Sequence, residues 1–305
     1  MAKEISLFNR TYNFAFCFYF LLSIILLLFS SQVFSTDKTA VMKIKHSHIG
    51  GSFTKDDIYF LSLLKLALEK SKAEFGPYQL IGAPLPMLQQ RAIAETIDNR
   101  LDVIWTMTSP ERETKLKPIR VPALRGLGGF RIFLIRADEQ ARFEQIQSEA
   151  QLKKIAAGQG RYWPDSDILL ANDYRLIQAA DHATLMKMLR FKRFDYMPRS
   201  VHEIWSEVDL FDDIKVEETL AIYYPSPFYF FVNNDNALLY ERIKLGLHKA
   251  INDGSFQTFF ENEPSSKNVL AHSKLNKRKI FRLENHFMTE ETKVVMANEK
   301  YIYRL

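Results

Sequence analysis

Residues 102 to 112 read Asp-Val-Ile-Trp-Thr-Met-Thr-Ser-Pro-Glu-Arg, and they hold the residue types that grip a small anion. A short apolar stretch, Leu101 to Trp105, runs into the hydroxyls of Thr108 and Ser109 and then into Pro110, Glu111 and Arg112. A guanidinium at a strand end offers a planar, two-pronged clamp for a carboxylate. Strand ends of α/β sheets are also where small ligands settle. The same letters spell a plain strand-to-helix junction, with Thr108 or Ser109 as N-cap, Pro110 at the first helical position and Glu111 answering the helix dipole. The two readings are compatible, because a helix start that caps its own amides can also face an anion. Trp105, closing the strand, is a candidate wall for a ligand.

The elements that must position these residues alternate. Ala40 to Lys45 mixes apolar and basic residues as a strand does, and Thr54-Lys-Asp-Asp57 has the form of a capping box before a helix with Leu61, Leu64 and Leu68 on one stripe. Gly76-Pro77 ends that helix. A strand is expected over Tyr78 to Ile81, a helix over Pro86 to Ile97, and a strand over Leu101 to Trp105. This β-α-β-α-β order predicts a parallel sheet covered by helices. Further strands are expected over Phe130 to Ile135 and within residues 168 to 196, with Gly158 to Asp165 as loop. A strong helix starts at Asn236 and stops at Asp253-Gly254. Extended crossings near 122 to 130 and 221 to 230 divide the chain into a first lobe (36–125), a second lobe (126–222) and a return segment with a loosely packed tail (223–305). A cleft between two lobes is a default place for a small molecule.

The first thirty-five residues form a separate unit of meaning. Lys3 and Arg10 precede an apolar run from Phe14 to Phe29, and Val33-Phe34-Ser35 has the small-residue pattern of a signal-peptidase site. Export to the periplasm is the expectation, with an uncleaved anchor as the alternative. Cys17, inside that run, is the only cysteine among 305 residues, so the mature chain has no disulfides and no thiol chemistry. The net charge of +5, from 41 basic and 36 acidic residues, describes a mixed surface with no strong pull towards nucleic acid. The densest basic run, Lys274 to Arg282, reads as a solvated loop or as a contact patch for an anionic surface.

Taken in order, these segments resemble the type II periplasmic solute-binding proteins, specifically the amino-acid-binding group associated with ABC transporters. Thr106-Met-Thr-Ser-Pro-Glu-Arg112 resembles that group's Thr-x-Thr-x-Glu-Arg region. Tyr229 to Asn236, followed by a helix ending Ala250-Ile-Asn-Asp-Gly-Ser-Phe256, looks like the last crossing and its helix, and Lys192 to Arg199 resembles the second-lobe strand that ends at the cleft. The resemblance spans residues 40 to 260. It implies a two-lobed α/β fold with a mixed sheet and flanking helices in each lobe, joined by two hinge crossings. It implies a non-enzymatic function, capture of an amino acid or related carboxylate, as a monomer that delivers to an inner-membrane permease. A sensor reporting to a membrane receptor or kinase is the alternative. Arg112 matches the arginine that holds the ligand carboxylate, and Thr108 or Ser109 matches its hydroxyl partner. In the second lobe such proteins present an acid to the ligand ammonium. Here the strand end offers Asp195 and Arg199, and which faces the cleft stays open. Arg199 there shifts the ligand towards acids without an amino group.

No cofactor or metal is expected. His46 and His48, two apart, lack a third ligand, and His202-Glu203 lacks the second histidine of a zinc-protease helix. Arg125-Gly-Leu-Gly-Gly129 has neither the dinucleotide spacing nor a phosphate-loop lysine. Gly50-Gly51-Ser52 is no nucleophile elbow. Phe53, Tyr59, Trp163 and Tyr196 fall near the expected cleft edges, where ligand stacking competes with core packing.

Overall fold

In the computed structural model, which describes residues 40–47 and 55–304, the chain opens with the predicted alternation. Strands β1 (Met42–His46), β2 (Tyr78–Gly82) and β3 (Val103–Met107) are parallel neighbours, and β4 (Lys117–Ile119) completes the first pass. The chain then leaves through residues 120–129 and builds a second sheet on β5 (Phe130–Arg136). Strands β6 (Ala157–Gly160) and β7 (Leu176–Ala179) form a parallel pair. Strands β8 (Met197–Ser200), β9 (Ile214–Val216) and β10 (Leu220–Tyr223) all pair with β5 in antiparallel fashion. Residues 224–227 carry the chain back, and β11 (Phe228–Val232) inserts antiparallel between β3 and β4. The first sheet thus has the order β2-β1-β3-β11-β4. The expected signal segment, His48, Phe53, the Gly50–Ser52 motif and Thr54 of the expected capping box lie outside the described residues.

Hydrophobic periodicity explains the helices. Helix Lys55–Lys70 buries Tyr59, Leu63, Leu64, Ala67 and Leu68, and it lies on helix Ala237–Asn252. The latter starts where Asn236 accepts a bond from the Leu239 amide and ends at Asp253 before Gly254, whose φ of 79° is left-handed. Gly246 lets the two helices touch: a Cβ there would sit 1.8 Å from the Ala67 carbonyl oxygen.

Two expectations need correction. Gly158-Gln-Gly160 is strand β6, not loop. The local signal is weak because its glycines serve packing: a Cβ on Gly158 would meet the Phe194 ring at 2.1 Å, and one on Gly160 the Trp163 ring at 2.3 Å. The tail is not a loose return to the first sheet. Strand β12 (Lys279–Arg282) runs parallel to β10 at the edge of the second sheet. Arg278, inside the basic run read as a solvated loop or patch, is buried and donates to the carbonyls of Glu217 and Leu220 and to the buried Glu217 carboxylate. The chain then turns back, and helix Glu290–Ala297 packs beside β11 through Tyr229 and Thr292.

Candidate functional site

Arg112 is the centre of the site. It lies in the first turn of helix Pro110–Lys115, which Ser109 caps by accepting the Arg112 amide at 3.3 Å. This is the capping half of the expectation, made by Ser109. The Arg112 side chain folds back over the end of β3 and is only 5% exposed. Its Nη1 donates to Thr106 Oγ1 at 2.6 Å and to the Met107 carbonyl at 2.8 Å; its Nη2 donates to Gln89 Oε1 at 2.5 Å and to the Tyr162 carbonyl at 3.3 Å. All four acceptors are neutral. Burial draws the guanidinium down to about 10, against the pull of Asp165 and Glu111, so it still carries its charge at neutral pH. Among the described residues no carboxylate forms an ion pair with it.

The loop after β6 brings the second sheet's groups to the same place. Tyr162 supplies the carbonyl just described. Asp165, at the start of helix Pro164–Ala171, accepts from Arg131 Nε at 2.7 Å and from the Tyr224 hydroxyl at 2.5 Å, both on Oδ1. Arg131 opens β5, is 2% exposed and also reaches Ser226 in the return crossing and the Met107 sulfur. Burial raises the Asp165 carboxyl, but the Arg131 charge and the Tyr224 bond outweigh it and hold it below the ordinary range. Arg199 on β8 lies over the Trp163 ring at 4.5 Å and is gripped by Glu207 at 2.6 Å and Glu203 at 2.9 Å. Burial and the neighbouring Glu207 push the Glu203 carboxyl up, apart from the pull of Arg199, while Arg199 holds that of Glu207 down. Ser47 Oγ, just past β1, and Gln159 Nε2, three residues before Tyr162 in the chain, are buried without a hydrogen-bond partner among the described residues.

The remaining sequence candidates fall elsewhere. Thr108 is buried, but its hydroxyl donates to Glu113 Oε1 at 2.6 Å, so it braces the junction; Thr106 takes the position against Arg112. Trp105 is not a cleft wall. Its ring stacks on Phe60 at 5.8 Å and meets Phe230 edge-on, because β3 is covered by a helix on that face. Asp195 receives Arg142 at 2.8 Å and the Ala156 amide at 2.7 Å, and it forms no bond to the Arg112 network. Of the aromatic candidates, Tyr59 and Tyr196 are core residues and Trp163 belongs to the site. His202 is buried against Tyr59 and Phe60, and burial lowers it to about 3. Among the described residues no group of three metal-binding side chains assembles.

Thr106, Gln89, Arg131 and Asp165 were not singled out from the sequence. Asp165 reads locally as a first-turn acid behind Pro164, and only the tertiary fold joins it to Arg131, 34 residues away. Thr106 was legible, since the side chain two residues before Thr108 shares its strand face.

The same junction contains a pH-sensitive brace. Burial raises the Glu113 carboxyl, but bonds from Thr108, Thr292 and Thr289 and the charge of Arg120 leave it lowered. A depressed carboxyl stabilises the fold above its unfolded value, and that contribution is lost as pH falls through the folded one. The melting temperature of the wild type should therefore drop more steeply than that of Glu113→Gln as pH is taken below about 4. Parallel curves would show that the carboxylate contributes nothing.

No family profile matches the chain, and no curated protein is similar to it in sequence. Solved structures are similar in fold. An ancestral arginine-binding protein bound to arginine superposes with a TM-score of 0.53 at 13% identity, over 73% of this chain and 98% of that one. A Salmonella typhimurium periplasmic binding protein with high arginine specificity gives 0.52 at 12%, over 72% and 98%. A histidine kinase sensor domain with similarity to periplasmic binding proteins gives 0.51 at 14%, over 73% and 96%. The fold is therefore that of the periplasmic binding proteins, as the sequence resemblance implied.

Proposed function

We propose that this chain is a periplasmic solute-binding protein that captures an amino acid or related carboxylate for an ABC-type transporter, with Arg112 as the carboxylate clamp. One observation carries the reading: a buried, charged guanidinium at the end of β3 has four neutral acceptors and no counter-ion pair. A desolvated cation gains most from an anion that can replace neutral acceptors. A ligand carboxylate would take the N–H groups now given to the Gln89 amide and the Tyr162 carbonyl. The Tyr162 loop follows β6 and Arg112 follows β3, so such a ligand would be held between the end of β3 and the loop after β6. On this reading residues 1–35 are an export signal, residues 36–125 and the return segment from 223 contribute the first lobe, and residues 126–222 the second, to which the tail adds β12. Arg199 is a wall of the site through Trp163, and the site binds without turnover.

The likeness to a sensor domain keeps a second use of the same site in view, in which the closed form reports to a receptor instead of delivering cargo. Neighbouring genes for a permease and ATPase, or for a kinase, would separate the two.

Mass spectrometry of small molecules retained on native purification identifies the ligand, and calorimetry then gives its affinity. Truncating one side of a buried charge pair costs about 2–5 kcal/mol, so Arg112→Ala should weaken binding roughly 30-fold or more. Arg112→Lys should recover only part, since an ammonium cannot grip two oxygens in one plane. An unchanged affinity in a folded Arg112→Ala protein would sink the clamp.

A further inference from the structure

The charges around Arg112 pair in a way that bears on what the ligand carries besides its carboxylate. Beside Arg112 lie two further buried guanidiniums, Arg131 and Arg199, and three carboxylates, Asp165, Glu203 and Glu207, while Glu111 and Glu113 on its own helix pair with Lys115 and Arg120. All three carboxylates are committed, Asp165 to Arg131 and both glutamates to Arg199. Arg112 alone has only neutral acceptors. We propose, resting on the carboxylate-binding reading above, that the site takes carboxylates with no free ammonium group and discriminates against α-amino acids.

A buried ammonium brings three donors and a positive charge, and it is stable out of water only beside a counter-charge. The groups that a bound carboxylate would release from Arg112 are the Gln89 amide oxygen and the Tyr162 carbonyl, which accept bonds but supply no charge. Of the three carboxylates, Asp165 and Glu203 each keep one oxygen, Oδ2 and Oε1, outside these bonds. Each of the two already faces a guanidinium, Arg131 and Arg199 respectively. An ammonium there would compete with that guanidinium for the same charge. Asp195, the other acid that the strand before the cleft could have offered, is held by Arg142 and the Ala156 amide.

The test is calorimetric titration of the purified protein with pairs that differ only in the amino group. Suitable pairs are propionate and L-alanine, succinate and L-aspartate, glutarate and L-glutamate, 3-phenylpropionate and L-phenylalanine, and 5-guanidinovalerate and L-arginine. In every pair that binds, the member lacking the α-amino group should bind at least about tenfold more tightly. Equal or tighter binding of any amino acid overturns the inference and leaves the carboxylate clamp standing. A second readout is Asp165→Asn in a protein that still folds. Loss of amino-acid binding with acid binding retained would show that Asp165 receives an ammonium, and would also overturn it. Binding by no member of any pair removes the carboxylate reading and the inference with it.

Discussion

Arg131→Met is expected to lower the melting temperature by about 6–20 °C. The guanidinium is 2% exposed, and its removal strands Asp165 and Tyr224 together in the interior with no cation between them and the Arg131 site. Breaking a buried ion pair by deleting one partner costs about 3–5 kcal/mol, and in a chain of this size each kcal/mol moves the midpoint by about 2–4 °C. The double variant Arg131→Met/Asp165→Leu should recover much of the loss, because two buried charges leave together and an apolar pair of similar volume replaces them. If the single variant melts within a degree or two of wild type, Arg131 and Asp165 are not a buried pair in solution. The position matters for function too. Arg131 also reaches Ser226 in the return crossing and Met107 at the end of β3, so it joins the second sheet to both the strand end that holds Arg112 and the connection between sheets.

Gly246→Ala is expected to cost about 3 kcal/mol or more, at or beyond the upper end of overpacked cores. The added methyl would sit 1.8 Å from the Ala67 carbonyl oxygen, and 2.5 Å from its carbon. That obstacle is backbone in the last turn of helix Lys55–Lys70, so no side-chain rotation relieves it and the two helices must move apart. Trimming the neighbouring side chain by Ala67→Gly should not rescue it. Gly254→Ala provides the contrast, since its Cβ would meet nothing within 4 Å and only the left-handed φ of 79° is strained. That change should cost about 1–2 kcal/mol. If urea unfolding ranks the two in the opposite order, the close approach of the helices is wrong.

Local signals carried most of the first sheet. The alternation at Met42–His46, the stripe of Leu64 and Leu68, the Asn236 cap and the Asp253-Gly254 stop each act over one or two turns, so a linear reading could see them. It failed where a segment's role depends on a distant ring or charge. The glycines of β6 look like loop until Phe194 and Trp163 are seen against them. The basic run near Arg278 looks solvated until Glu217, 61 residues earlier, is found beside it. Which of Asp195 and Arg199 faces the cleft stayed open in the sequence, and the structure shows why: Phe194, Tyr196 and Met197 are all buried, so alternation marks no exposed face there.

By itself the sequence determined the alternation of strands and helices through β3, the strand-to-helix junction at Thr106 to Arg112 and the residue type that can clamp a carboxylate. These follow from period, cap and side-chain chemistry, which are properties of neighbours along the chain. Only the tertiary structure decided which charges are already spent. It bound Asp195 to Arg142, Arg199 to two glutamates and Asp165 to Arg131, and left Arg112 with neutral acceptors alone. The physical reason is range: a charge pair forms over a few ångströms of space, and the chain distances that bring such atoms together run from 4 residues for Arg199 and Glu203 to 53 for Arg142 and Asp195.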